Sequence, residues 1–335
     1  MKKFLIFLVS AVIGLLLFFW VIRWVGWQEI SGVLLTLLGY KGLVILGVTL
    51  LIWFVGTWQW KFILKSQGYK FSTWSLAEIL FASFPITYLF TPTAVFGGEV
   101  FRIYSLKKKS SVPLEKNIAS VAIGRLLSAS VLLLFLILGA VSFVLLAEEP
   151  VENFRIIALA LIGLLAVGLA IFYSRSCKKK SILKRFLRFF GVKEKKNHLP
   201  EEIEKEIFHF FDFRKDVMWK GLGIAFLRYS LIVVRCWLIV FFLGGGLGVF
   251  GSLAIMFFLY LAHFFPFPAD LGSLEGVQVL AFSALGLGAS AGISFSLVLR
   301  SVDILIALFG LVLLIKLGMK FFLGSVGNVI KRLRR

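Results

Sequence analysis

The stretch FPITYLFTPTAVFGGEVFRIYSL (84–106) decides how this chain folds, and FFPFPADLGSLEGVQVLAFSAL (264–285) repeats its pattern. In both stretches an apolar run is interrupted by proline, then glycine, then glutamate. The proline precedes the glutamate by seven residues each time, as Pro92 and Glu99 and as Pro268 and Glu275. Duplicated broken hydrophobic segments with ionisable residues indicate a transport site between inverted repeats.

Each glutamate is followed by an arginine inside an apolar segment, Arg125 after Glu99 and Arg300 after Glu275. An ionisable residue in a membrane span costs about 2.5–3.5 kcal/mol on insertion scales, so it is a site hypothesis by default. Guanidinium groups bind phosphate bidentately, and the glutamates can hold a cationic group or relay a proton. The alternative is structural, with each glutamate capping its half-helix or pairing with its arginine.

Composition defines the class of protein. Of 335 residues, 60% are hydrophobic and 16% are charged, and the mean hydropathy is +0.97. No soluble domain of this length would have so little polar surface, so the chain is predicted to be a polytopic membrane protein. The net charge of +20 comes from basic residues at the ends of apolar segments. It indicates loops that face anionic inner-leaflet lipid, and no nucleic acid is expected.

The predicted fold is an all-α integral membrane protein with about six full spans and two re-entrant helical hairpins in inverted repeats. The whole chain, 1–335, is interpreted as a single polytopic domain. The hairpins are placed at 76–106 and 251–288, because each region is too long for one span and too broken for two. The full spans are placed near 4–22, 42–60, 118–146, 155–174, 219–243 and 292–320.

Loop charges set the predicted orientation. Basic loops flank 76–106 on both sides, at 61–70 and at 107–116. Both lie in the cytoplasm only if that region enters and leaves from the inner face. The acidic loop 147–154 then falls outside, and both termini fall inside. The second hairpin must open outward, which predicts inverted topology in the cytoplasmic (inner) membrane.

The segment 175–218 is the one sizeable polar region and is predicted to be cytoplasmic. Residues 181–190 have a basic amphipathic pattern, which favours a helix on the inner leaflet. A second short helix is predicted at 200–216, because proline and acidic residues open it. The alternative is a solvated linker.

Further ionisable residues extend the candidate site. Arg102 follows Glu99 at i+3, whereas the equivalent position in the second stretch is Gln278. Arg228 and Arg235 share one helical face, and snorkelling or pairing with Asp270 would also explain them. The candidate substrate-binding residues are Glu99, Arg102, Arg125, Asp270, Glu275, Arg300 and Asp303. The predicted helix breaks are Pro92, Gly97, Gly98, Pro268 and Gly272.

Catalytic and cofactor motifs do not appear in the sequence. It contains no G-x-S-x-G, H-E-x-x-H, P-loop, paired C-x-x-C or dinucleotide fingerprint. His263 is interpreted as a packed histidine, with a proton relay as the alternative. We therefore expect no cofactor, no metal ion and no catalytic residues.

Pro92 with the following Phe-Gly-Gly-Glu-Val-Phe-Arg, and later Arg125, resembles the first signature of the lysylphosphatidylglycerol synthase transmembrane-region family (also called the UPF0104 or flippase-like domain family). The run FPADLGSLEG (267–276) with Arg300 resembles its second signature, although Asp270 stands where a small residue is usual. The resemblance implies movement of a lipid with a polar headgroup between leaflets. Family members that make an aminoacyl lipid carry an additional soluble domain, and this chain is expected to lack that activity.

The expected function is a flippase for a phospholipid or a polyprenyl-phosphate-type lipid, whose partner is a lipid with a phosphate-containing headgroup. Two alternatives stay open. One is a membrane enzyme that transfers a glycosyl or other group to a polyprenyl phosphate, and the other is a secondary transporter of a small anion. The sequence is also compatible with a homodimer.

Overall fold

The computed structural model describes residues 39–90, 97–110, 112–147, 199–211, 216–265 and 267–333, with Arg23 and scattered positions in 156–174. Within these ranges the regular structure is helical. The α-helices are α1 Tyr40–Ser66, α2 Thr73–Phe90, α3 Gly97–Lys109, α4 Leu114–Leu146, α5 Leu199–Phe210, α6 Asp216–Phe242, α7 Gly248–Ala262, α8 Ser273–Ala284 and α9 Ala289–Leu333, and a 3-10 turn covers Pro268–Asp270.

Four of these helices are long and apolar enough to cross a membrane, namely α1, α4, α6 and the Ala289–Gly318 part of α9. At 1.5 Å per residue, a 27-residue helix such as α1 is about 40 Å long, more than the roughly 30 Å hydrocarbon core. They match the spans predicted near 42–60, 118–146, 219–243 and 292–320. Their outward faces carry large apolar side chains such as Leu50, Phe54, Leu138, Val141, Leu305, Leu308 and Val312.

Two pairs of shorter helices form hairpins. In the first pair, Lys109 at the end of α3 lies 2.6 Å from Glu78 near the start of α2. At the closed end, the Gly98 backbone N–H donates to Thr87 Oγ1 at 2.9 Å. In the second pair, Gln278 of α8 donates to the carbonyl of Ile255 in α7 at 3.3 Å. Both pairs therefore fold back on themselves where the sequence predicted hairpins, although α2, α3 and α7 extend beyond the predicted bounds 76–106 and 251–288.

The first half of the bundle, α1–α4, and the second half, α6–α9, pack in matching ways. Helix α1 packs against α6, its counterpart in the other half. Each hairpin then leans on the long helix of the opposite half, so that α2 packs against α9 and α7 packs against α4. The two halves therefore interlock around one core.

Two glycines permit these crossed contacts. A Cβ on Gly139 of α4 would lie 2.5 Å from the carbonyl oxygen of Leu253 in α7. A Cβ on Gly310 of α9 would lie 2.3 Å from the carbonyl oxygen of Phe81 in α2. Neither distance is possible for a real side chain, so each crossing requires glycine. Small residues allow such close approach between helices in a membrane.

The short helix predicted at 200–216 is present as α5, with Glu201 and Glu202 in its first turn. It ends at Phe210, earlier than predicted, and it packs against α4, where Lys116 lies 3.8 Å from Glu206. Several predictions lie outside the described residues: the span 4–22, the helix 181–190, most of the span 155–174 and of the acidic loop 147–154, and the breaking residue Pro92.

Candidate functional site

A cavity of about 320 Å³, called here the first cavity, lies among helices from both halves. Apolar and aromatic side chains of α1 and α2 form much of its wall, including Trp53, Trp60 and Phe84. Its polar and charged lining consists of Gln59, Ser83, Thr87, Glu99, Arg102, Arg125, Ser128, Arg228, Tyr229, Tyr260 and His263.

Glu99 and Arg125 meet in this cavity. Glu99 lies in the first turn of α3, and its carboxylate accepts a hydrogen bond from Arg125 Nε in α4. Arg125 is eleven residues into α4, about 16 Å along the helix from Leu114. Its side chain is nevertheless 52% exposed, whereas that of Glu99 is 15% exposed. This ion pair therefore lies deep in an apolar helix and is still accessible from outside the bundle.

Two further arginines add positive charge to the same cavity. The Arg102 guanidinium lies over the ring of Trp60 at 4.4 Å. The Arg228 guanidinium packs beside Gly56, where an added Cβ would be 3.5 Å from Nε. The Nε atoms of Arg102 and Arg228 are buried, and neither has a hydrogen-bond partner among the described residues. Three arginines therefore line the first cavity with one glutamate.

A second cavity of about 130 Å³ lies beside the first. Its charged lining is Arg235, Asp270, Arg300 and Asp303, with His263 at its edge. Phe84, Thr87, Tyr260 and His263 line both cavities and therefore form the wall between them. Helix α6 reaches both, because Arg228 points to the first cavity and Arg235 to the second.

Arg300 is the centre of a dense network in the second half. Its Nε and Nη2 donate to Glu275 Oε1 at 2.9 and 2.6 Å. Its Nη1 donates to the Ala269 carbonyl at 2.7 Å, and its Nη2 also reaches the Asp270 carbonyl at 3.2 Å. The Glu275 side chain is fully buried and the Arg300 side chain is 8% exposed. This pair is therefore sealed inside the protein.

The break that Arg300 holds has an uncommon backbone conformation. Ala269 and Asp270 both have φ of +52°, and Gly272 has φ of +74°. The left-handed region is costly for a residue with a Cβ, so these conformations persist because the surroundings impose them. Glu275 contributes by accepting a hydrogen bond from the Gly272 backbone N–H at 2.9 Å, which caps α8.

The predicted site residues divide between the two cavities. Glu99, Arg102 and Arg125 line the first, and Asp270, Arg300 and Asp303 line the second, with Glu275 buried behind Arg300. Asp270 lies 3.6 Å from His263 Nδ1. The structural alternatives from the sequence, a glutamate that pairs with its arginine and a glutamate that caps its helix, are both present in Glu275.

The candidate residue that sequence reasoning left out is Arg228. The sequence places this arginine in an apolar stretch, where snorkelling or a pair with Asp270 explains it. In the structure it lies in the first cavity and Asp270 lies in the second. The signal was in the spacing: residues seven apart on one helical face are about 10 Å apart along the axis, so Arg228 and Arg235 can serve different sites.

The apolar crossing helices and the buried charged cavities define a multi-pass membrane protein. The model of the family described as the lysylphosphatidylglycerol synthase TM region matches residues 7–310. The chain therefore belongs to that family, as the two sequence signatures indicated.

Two archaeal relatives resemble the chain over most of its length. It is 24% identical over 253 residues to a UPF0104 membrane protein of Methanocaldococcus jannaschii, covering 73% of this chain and 75% of that protein. It is 25% identical over 267 residues to a UPF0104 membrane protein of Methanothermobacter thermautotrophicus, covering 74% and 76% respectively.

Proposed function

We propose that this protein moves a lipid with a phosphate-containing headgroup between the leaflets of the cytoplasmic membrane. The observation that carries the proposal is the first cavity, whose described lining contains three arginines and one glutamate within an apolar bundle. Arg125 lines this cavity, and its side chain is half exposed although it lies well inside α4. A headgroup could therefore enter from the side while its acyl or prenyl chains stay in the bilayer.

The proposed topology is six full spans and two re-entrant hairpins in inverted repeats, with both termini in the cytoplasm. The crossed packing of α2 on α9 and of α7 on α4 supports an inverted pair of repeats. Lysines gather at one end of the bundle, where Glu78 lies 2.6 Å from Lys109 and 3.6 Å from Lys316. Such a basic end suits the cytoplasmic face.

In the proposed mechanism the Glu99–Arg125 pair is the gate of the first cavity. A phosphate group that enters competes with the Glu99 carboxylate for the Arg125 guanidinium, since both anions suit its planar donors. Release of Glu99 frees the start of α3 from α4. The Glu275–Arg300 pair would hold the second cavity closed in this state, and the transition to the other leaflet would exchange the two roles.

The test is leaflet-resolved transport by the purified full chain in liposomes, with fluorescent phosphatidylglycerol as the probe. We expect the protein to accelerate lipid exchange, and Glu99→Gln and Arg125→Gln to slow it at least about tenfold, since a lost charge-assisted hydrogen bond is worth about 1.5–3 kcal/mol. Lys220→Gln is the matched control, because Lys220 is exposed and lies outside both cavities. If Glu99→Gln and Arg125→Gln transported lipid as fast as the wild type, neither residue would have the proposed role in transport.

The same liposomes separate the alternatives. Uptake of radiolabelled phosphate without lipid exchange would favour a small-anion transporter. A new lipid product formed from a labelled sugar donor would favour a group-transfer enzyme. Either result would contradict the lipid transport proposed here.

A further inference from the structure

We propose that the first cavity selects a headgroup with two negative charges, a phosphate monoester or a pyrophosphate, over a singly charged phosphodiester. The inference rests on the proposed function, because it takes the ligand to be the headgroup of a transported lipid. It adds the charge and the chemical class of the ligand, which follow from the polar atoms that the protein leaves unpaired in the cavity.

The charge balance of the first cavity is the first step. Arg102, Arg125 and Arg228 supply three positive charges, and Glu99 neutralises one of them through its bond to Arg125. Two guanidinium groups, on α3 and α6, remain without a carboxylate of their own among the described residues of the lining. Buried charge that is not compensated is strongly unfavourable, so a cavity of this kind is built for a counter-ion.

The unpaired atoms give the chemistry of that counter-ion. Four buried nitrogens of cavity-lining side chains have no hydrogen-bond partner in the described part of the chain: Arg102 Nε, Arg228 Nε, Gln59 Nε2 and His263 Nδ1. Gln59 is itself 97% buried, because its residue exposure is 3%. The arginine and glutamine nitrogens are all donors, whereas the histidine nitrogen is a donor or an acceptor according to its tautomer. A ligand that satisfies them must present several acceptor oxygens, as a terminal phosphate does.

The second cavity serves as an internal comparison. Arg235 and Arg300 face Asp270 and Asp303 there, and Glu275 adds a third carboxylate behind Arg300. Its two arginines are therefore matched in number by acidic groups of the protein, although Arg235 Nε is also buried without a hydrogen-bond partner among the described residues. Two equivalent places in the fold thus differ in sign, and an excess of positive charge occurs only in the larger of these two cavities.

The number of negative charges follows from the balance. A phosphodiester carries one and leaves one guanidinium uncompensated. A phosphate monoester approaches two negative charges above its second pKa of roughly 6, and it offers three terminal oxygens to the donors that line the cavity. Binding is therefore expected to favour the monoester.

The experiment compares two lipids on the detergent-purified full chain at pH 8. Bound phosphatidic acid, a monoester, and phosphatidylglycerol, a diester, are titrated separately and counted by native mass spectrometry. For the wild type we expect the affinity for phosphatidic acid to be at least about tenfold higher, since one further charge-assisted hydrogen bond gives about that factor. Arg228→Gln is expected to reduce the preference to about threefold or less, and Arg228→Lys to retain part of it.

Lys220→Gln is the matched control, because it removes a positive charge from the same helix, eight residues away and outside both cavities. It should leave the preference within about twofold of the wild type, while a thermal unfolding scan verifies that each variant is folded. Equal affinities for the two lipids in the wild type, or equal effects of Arg228→Gln and Lys220→Gln on the preference, would overturn the proposal.

Two outcomes distinguish this inference from the proposed function. Lipid transport in liposomes with no preference for the monoester would overturn the charge assignment and leave the transport function standing. Arg228-dependent binding of soluble glycerol phosphate, with no binding of phosphatidic acid, would support the dianion site. It would assign that site to a free phosphate ester and contradict lipid transport.

Discussion

The two halves of the molecule use the same acid–arginine pair in opposite states. Arg125 and Arg300 each lie eleven residues into their helices, and each meets a glutamate in the first turn of a short helix. The first pair is half exposed on its arginine side, whereas the second is sealed. The same local pattern therefore serves as an accessible pair in one half and as a structural latch in the other.

The surroundings explain the difference. Arg300 has two further acceptors, the carbonyls of Ala269 and Asp270, which the left-handed backbone turns towards it. Arg125 faces a larger cavity that already holds Arg102 and Arg228. The positive charges of neighbouring arginines make the environment of Arg125 less favourable for its own charge. In the second half, carboxylates balance the charges of the arginines.

The largest expected effect concerns the sealed pair. Arg300→Gln leaves Glu275 buried without its partner and removes the donors to the Ala269 and Asp270 carbonyls. We expect a loss of about 3–5 kcal/mol in unfolding free energy, as for other broken buried ion pairs. The measurement is denaturant unfolding in detergent micelles. The double variant Arg300→Met with Glu275→Leu should recover much of the lost unfolding free energy. If Arg300→Gln lowered the unfolding free energy by less than Arg125→Gln does, the first pair and not the second would be the structural one.

The crossed packing gives the next largest effect. Gly139→Ala and Gly310→Ala each force a Cβ into a backbone carbonyl of the opposite half, and we expect each to cost about 1–3 kcal/mol. The control is Gly318→Ala in α9, where a Cβ meets nothing within 4 Å. It should be neutral or stabilising by up to about 1 kcal/mol. If only one of the two glycine variants were destabilised, the two crossings would not be equivalent.

The accessible pair should separate stability from activity. Arg125→Gln is expected to change the unfolding free energy by no more than about 1 kcal/mol, because the arginine is half exposed. Lipid transport should nevertheless fall about tenfold or more, as argued for the gate. Parallel unfolding and transport measurements on one preparation test this. A variant that loses stability and keeps transport would make the first pair structural as well.

The smallest effect is expected at the basic end of the bundle. Glu78 pairs with Lys109 of α3 and Lys316 of α9, and so joins the first hairpin to the other half. Glu78→Gln should cost less than about 1 kcal/mol, and the difference from wild type should shrink at 0.5 M salt because such pairs are screened. Asp216→Asn removes an exposed pair with Lys220 and is the control. If Glu78→Gln destabilised the protein as much as Arg300→Gln does, the Glu275–Arg300 pair would not be the main stabilising ion pair.

Local pattern was sufficient for most of the architecture. The four crossing helices, the two hairpins and the position of each glutamate in a first helical turn follow from apolar length, proline and glycine placement, and short-range periodicity. The sequence also indicated that Gln278 replaces Arg102 in the second half. In the structure Gln278 is fully buried against α7, and Arg102 lines the first cavity.

The division of charges between cavities could not be predicted in the same way. Arg228 was expected to snorkel or to reach Asp270, and only the packing of α6 across both cavities places these residues apart. Likewise, the difference in exposure between Arg125 and Arg300 could not be predicted, because it depends on helices that are distant in sequence.

The sequence by itself determined that this chain is a membrane-spanning helical protein of its family, with two broken segments that each lead an acid to a deep arginine. Apolar length and helix-breaking residues act locally, so they can be read along the chain. Only the tertiary structure decided that one pair is open and the other is latched, and that unpaired positive charge gathers in one cavity. Exposure and charge balance are sums over residues that meet across both halves of the bundle, and no local segment contains that sum.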